Sequence, residues 1–355
     1  MIRIENLSKD LGEFFLQDVS LKIKDGEYFV ILGPTGAGKT ILLETIAGIY
    51  HPDKGRIFLN GHDITNIPPR ERNIGMVYQD YTLFPFLTVE ENIGFGLKLR
   101  RISKEEIKHK VDELTNLMSV SHLLHRYPGT LSGGEQQKVA IARAIITRPS
   151  VLLLDEPLSA MDLRTQDFLR EELRRIHHIQ KLTSVHVTHN QTEAIVLADR
   201  IAVMMNGEIV QVGTPHDIFS KPLNEDIATF VGVENILDGE IRRNSDGIAV
   251  IDLGDIELDA ISDYREGEVK IFVRPEDILI SKKMQESSAR NSIRGKIIKM
   301  TNFGAVIRLQ LDNGLIASVT KLSAEDLGLG IGKEIYASFK ATSVHVVKKT
   351  EGNEI

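Results

Sequence analysis

The run Gly33-Pro-Thr-Gly-Ala-Gly-Lys39-Thr40 stands directly after the apolar stretch Tyr28–Leu32 and opens a segment of helical period, Thr40–Ile49. Few local patterns restrict a fold as tightly, because strand, glycine-rich loop and helix must follow one another without slack. Glycines at 33, 36 and 38 let the backbone curl so that successive N–H groups face one point, where the helix N-terminus adds about half a positive charge. The pattern is G-x-x-x-x-G-K-[ST], a phosphate cradle: Lys39 is placed to neutralise β- and γ-phosphates, and Thr40 offers the hard hydroxyl oxygen that Mg²⁺ prefers. Gly33, Pro34, Thr35, Gly36, Ala37, Gly38, Lys39 and Thr40 are therefore the candidate nucleotide-binding set, with ATP and Mg²⁺ as the expected ligands.

A second constraint comes from Val151–Leu154, a buried-type strand that ends in Asp155 and Glu156. Ligands in such sheets bind at the C-terminal strand edge, so Asp155 is expected to hold the metal through water and Glu156 to polarise the attacking water. Up to about residue 232 short β-rich runs alternate with longer helical periods, among them Arg164–Ile179, Ser184–Val187 and Gln191–Ala198. This predicts an α/β domain with a mostly parallel sheet, and Asn60-Gly61 and Asn206-Gly207 predict added antiparallel hairpins.

The segment Leu131-Ser132-Gly133-Gly134-Glu135-Gln136-Gln137 opens another helix with a Ser cap and two glycines, a second anion-type helix end in one chain. LSGGEQQ resembles the signature of ABC transporter ATPases. The resemblance implies that Ser132, Gly133 and Gly134 complete the nucleotide site of a second copy, so the working form is a head-to-tail homodimer. It further implies that Gln79 touches Mg²⁺ or water, that His189 in Val-Thr-His contacts the γ-phosphate, and that Ser159-Ala-Met-Asp162 lies at the dimer contact. His186 reads as structural. The aromatic that stacks on adenine is expected near Leu11 and Gly12, where Leu stands instead; either Phe14 or Phe15 substitutes or the base is held weakly. Asn190 stands where the family commonly has Asp, and Met161 where it has Leu. Two transmembrane permease subunits and an extracytoplasmic substrate-binding protein are the implied partners, with this chain peripheral on the cytoplasmic face of the membrane.

From 233 to 355 the texture turns to brief strands broken by Gly, Asp and Asn, which predicts an all-β, OB-like barrel or sandwich. The polar stretch Ser281–Ser288 splits it into two parts of similar texture, consistent with a weak duplication. Within 286–348 the pieces Ser287–Ile297, Ile316–Thr320, Ser323–Leu329 and Phe339–Val344 resemble, in order and spacing, the small molybdate-binding domain of oxyanion sensors and of some importer ATPases. Tetrahedral molybdate or tungstate presents only acceptor oxygens, so its site needs donors. The candidates are Ser288, Ala289, Arg290, Lys340 and Thr342, and the implied role is regulation by the bound oxyanion. The alternative is a spacer domain, as in sugar, polyamine or iron importers; Arg274-Pro-Glu-Asp277 is common to both readings.

Composition removes other classes. The absence of cysteine excludes disulfides and thiolate chemistry, and a formal charge of −7 argues against a nucleic-acid binder. No apolar run approaches the roughly 20 residues of a spanning helix. The start, MIRIENLSKD, lacks the charge and hydropathy pattern of a secretory signal. A DNA-repair ATPase would carry long heptad helices between its ATP motifs and a translation ATPase two tandem cassettes; this chain has neither.

Overall fold

Five consecutive buried residues make Tyr28–Leu32 a central strand, as a run apolar on both faces requires. In the computed structural model, which describes residues 1–159, 161–254 and 256–349, this strand lies between Thr183–Thr188 and Arg200–Met205, parallel to both. Val151–Asp155 and Ile74–Val77 extend the sheet in parallel beyond Thr183–Thr188, and Glu208–Gly213 adds one antiparallel edge strand. A four-stranded antiparallel sheet faces it, in the order Phe15–Ile23, Ile2–Asp10, Lys54–Leu59, His62–Asp63. The helix Lys39–Ala47 contributes Ile41, Leu42, Leu43 and Ile46 to a core that holds side chains of both sheets. Its C-terminus is set by Gly48 at φ 89°, two residues earlier than the period of the sequence implies.

Both hairpin expectations hold. Asn60 and Gly61 have φ 51° and 83°, Asn206 and Gly207 have φ 47° and 78°, and each pair joins antiparallel neighbours with the positive φ at both central positions that a type I′ turn needs.

The chain divides into two compact units, Met1–Ile218 and Phe219–Ile355. The boundary expected after residue 232 thus falls inside the second unit, where polar contacts fix the segment that precedes it. Arg274 donates to the Phe219 carbonyl, His345 Nε2 lies 3.0 Å from the Pro222 carbonyl, and Lys270 pairs with Glu225 at 2.7 Å. Helix texture placed these residues with the α/β domain; their partners, Lys270, Arg274 and His345, lie on or directly after β-strands far along the chain.

The second unit is built from two five-stranded antiparallel sheets around one core. In the first, Glu257–Ile261, Ile248–Asp252, Asn235–Ser245 and Gly267–Val273 are followed by His345–Lys348. In the second, Ile316–Thr320, Val306–Leu311, Asn291–Asn302 and Glu334–Phe339 are followed by Leu279–Ser281. Each half therefore makes a three-strand meander whose fourth strand returns beside the first, and each receives its fifth strand from the other half. The similar textures correspond to one repeated topology, and the exchanged strands join the halves into a single core.

Candidate nucleotide site

Where the parallel strands end, their loops enclose a cavity of about 470 Å³ lined by Phe14, Thr35, Gly36, Gly38, Lys39, Thr40, Ile41, Gln79 and Glu156. Gly33 is where it is for steric reasons: a Cβ there would stand 2.1 Å from the Met204 carbonyl oxygen. Gly36 and Gly38 sit at φ 84° and 94°, the left-handed region where a side chain is penalised. Lys39 is buried, and its ammonium donates to the carbonyls of Gly33 at 3.0 Å and Pro34 at 2.8 Å while standing 3.9 Å from Glu156. Burial pulls its pKa down, against the opposing charges of Glu156 and Asp155.

Thr40 Oγ1 donates to Asp155 Oδ1 at 3.1 Å, which joins the helix start to the end of Val151–Asp155. Burial raises the Asp155 carboxyl; the Thr40 hydrogen bond opposes that and the Glu156 charge adds to it. Glu44, which was not among the sequence candidates, lies one turn along the same helix and is likewise raised by burial and by the charge of Asp155. Three carboxylates against one lysine leave the end of the sheet suited to a polyanion only if it arrives with a cation, which fits Mg²⁺ held by Thr40, Gln79 and phosphate oxygens. Glu156, at φ 42°, turns away from the strand and meets His189 Nδ1 at 3.0 Å. His189 is half exposed, whereas His186 is fully buried between the Tyr28 hydroxyl at 3.0 Å and Glu193 at 3.2 Å. Phe14, 48% exposed, lines the cavity; Phe15 packs its backbone and ring toward Gly207.

The segment 132–134 does not line this cavity. Ser132 caps the helix Gly133–Ile145 in a capping box, its Oγ accepting from the Glu135 N–H while the Glu135 carboxylate accepts from the Ser132 N–H at 2.7 Å. Ser132 and Gly134 border a separate hollow of about 230 Å³ with Lys138, Thr165 and Phe168. Asp162 caps Leu163–Gln180, and Ala160 lies outside the described residues.

In the second unit the register Asn291↔Phe339 brings Ser288, Ala289 and Arg290 to the same end of a strand pair as Lys340 and Thr342. Arg290 Nη1 is 3.5 Å from Asp259 Oδ2, and Lys340 and Thr342 are exposed. These five residues were separated by half a domain in sequence and share one edge in space.

The ABC transporter family profile matches residues 16–159 and the TOBE domain profile residues 287–346. The molybdate/tungstate import ATP-binding protein WtpC of Pyrococcus abyssi is 46% identical over 349 residues, 98% of this chain and all of the relative. The Fe(3+) ions import ATP-binding protein FbpC of Fusobacterium nucleatum is 40% identical over 97% of this chain and 92% of its own length. Among solved structures, an ATP-binding cassette in a dimeric post-hydrolysis state with ADP and Pi superposes with a TM-score of 0.55 at 30% identity, covering 61% of this chain and 99% of that one. The chain belongs to the ABC transporter family, as an ATP-binding protein with a C-terminal TOBE domain.

Proposed function

We propose that the chain is the ATP-hydrolysing motor subunit of an importer for molybdate or tungstate. The observation that carries the motor reading is the meeting of Lys39, Thr40, Gln79 and Glu156 on one cavity, with Asp155 and His189 bonded to its rim. Lys39 and the loop N–H groups bind the phosphates. When bound, Mg²⁺ screens the charge between them, with Thr40 and Gln79 as protein oxygens and Asp155 behind Thr40. Glu156 accepts the proton of the attacking water, and His189, bonded to Glu156, holds that carboxylate on the water and contacts the γ-phosphate. Phe14 offers an apolar face to the adenine.

That Ser132–Gly134 faces a different hollow supports a site completed by a second copy, the head-to-tail homodimer. No helix among the described residues is long and apolar enough to cross a membrane; the import names of the relatives support permease partners that form the transport path, with their binding protein outside. Phe86, 90% exposed on the loop that follows Gln79, is suited to an apolar contact with such a partner on the cytoplasmic face. For the cargo, the names of the relatives at 45–46% identity and the clustering of Ser288, Ala289, Arg290, Lys340 and Thr342 support an oxyanion, bound at the second unit as a regulatory signal. The iron relative at 40% marks the competing reading, a spacer domain without an anion site.

The motor reading is tested by Glu156→Gln. ATP hydrolysis should fall by about 10²–10⁴, while ATP binding persists and light scattering shows a nucleotide-dependent dimer. Hydrolysis near the wild-type rate would refute the assignment.

A further inference from the structure

Gln79 is carried on the segment that leaves Ile74–Val77, and the next turn of that segment is strained. Tyr81 and Thr82 have φ 58° and 42°, a conformation uncommon for any residue with a Cβ and an outlier for a β-branched one. The Thr82 N–H bonds to the Asp80 carbonyl at 2.6 Å, closing a three-residue turn of the rarer hand. Strain of this kind persists where the surroundings over-determine it. Arg143 supplies the constraint: Nη1 donates to the Thr82 carbonyl at 2.9 Å and Nη2 to the Tyr81 carbonyl at 3.2 Å, with the guanidinium 5.1 Å from the Phe84 ring centroid.

Arg143 belongs to Gly133–Ile145, the helix capped by Ser132. Beyond the turn the loop is held again, by the buried Asn92, which accepts from the Phe84 N–H and donates to the carbonyls of Phe84, Leu87 and Thr88. The Tyr81 hydroxyl and both polar atoms of the Gln137 amide are buried and without a hydrogen bond among the described residues. That hydroxyl lies 3.9 Å from where a Cβ on Gly133 would be, so the turn packs against the first residue of the same helix. Nothing in the sequence pattern marks Arg143; it reads as a basic residue in the last turn of an ordinary helix.

We propose that Arg143 is a positioning residue: its fork clamps the left-handed Tyr81-Thr82 turn, and through that turn fixes Gln79 in the nucleotide cavity. The clamp sits on the helix headed by Ser132 and Gly133, so that helix is tied to the loop that carries Gln79. The inference rests on the assignment of Gln79 to Mg²⁺ made above. Lysine lacks the planar fork and reaches one carbonyl at a time, so Arg143→Lys retains part of the effect.

The test is ATP hydrolysis by the full chain at saturating ATP, titrated with Mg²⁺, together with displacement of Mn²⁺ by Mg²⁺ from the ATP-bound chain read by electron paramagnetic resonance, in Arg143→Met, Arg143→Lys, Gln79→Ala, the Arg143→Met/Gln79→Ala double variant and Arg143→Met/Thr82→Gly. Arg143→Met is expected to raise the Mg²⁺ needed for half-maximal rate by about tenfold, as loss of an outer-shell support does. Arg143→Lys falls between it and the wild type. The double variant should be no worse than Gln79→Ala alone, because both changes remove one interaction. Glycine at 82 adopts the left-handed turn without the clamp, so Thr82→Gly should recover part of the shift. A Gln79→Ala midpoint that moves while those of Arg143→Met and Arg143→Lys stay put overturns this inference alone, as do additive losses in the double variant. A Gln79→Ala midpoint equal to wild type overturns the Mg²⁺ assignment and the inference with it.

Discussion

Burial sets the chemistry of individual residues at the sheet end. Lys39 and Asp155 are each pushed toward neutrality by desolvation, Lys39 downward and Asp155 upward; the charges of Glu156 and Asp155 oppose the shift at Lys39, and the Thr40 hydrogen bond and the Lys39 charge oppose it at Asp155. Below the same strand ends, Glu193 is almost fully buried beside His186. Burial raises its carboxyl, but hydrogen bonds from His186 and Thr188 and the charges of His186 and Arg170 outweigh that and leave it below the ordinary 4.5. A carboxylate depressed in the folded state contributes stability that is complete above its unfolded value and is lost as pH falls through the folded one. Glu193→Gln should therefore cost about 1.5–3 kcal/mol near neutrality, and its stability should fall less steeply than that of the wild type below pH 4.5. Urea unfolding at a series of pH values measures both; parallel acid limbs would show that Glu193 is not the group that titrates.

At the scale of elements, two helix starts share anion chemistry but are built differently. Lys39–Ala47 begins at a glycine with no side-chain cap, which leaves its N–H groups to the phosphate loop. Gly133–Ile145 begins in a closed capping box, Ser132 with Glu135. The serine is thus part of the helix itself, and Ser132→Ala should destabilise the chain by about 1 kcal/mol, read as a lower thermal midpoint without nucleotide. An unchanged midpoint would mean that the cap contributes nothing to stability. Strand exchange in the second unit is also an element-scale effect: a strand of three residues, Leu279–Ser281, and one of four, His345–Lys348, each complete the sheet of the opposite half.

For the whole molecule, the second unit decides the cargo question. Arg290 and Lys340 are exposed cations at one edge, with Asp259 beside Arg290. If they hold an oxyanion, Arg290→Ala and Lys340→Ala should each weaken molybdate binding to the full chain by about tenfold or more, the worth of a hydrogen bond to a charged group. Calorimetric titration with molybdate and sulfate reads this directly: wild-type heats in both variants would exclude these two residues as the site, and no heat from the wild type would leave the unit as a spacer. The phosphate loop, the Asp155-Glu156 strand end, the signature run and the two Asn-Gly hairpins were legible in the sequence because each is local: the chemistry lies within a few consecutive residues whose backbone geometry the glycines dictate. The division of the chain after Ile218, the exchanged strands, the meeting of Ser288–Arg290 with Lys340–Thr342 and the hold of Arg143 on Tyr81 and Thr82 were decided only by tertiary structure. Each depends on contacts between residues tens of positions apart, and no local pattern records which distant partner will satisfy a buried carbonyl, a strand edge or a charge.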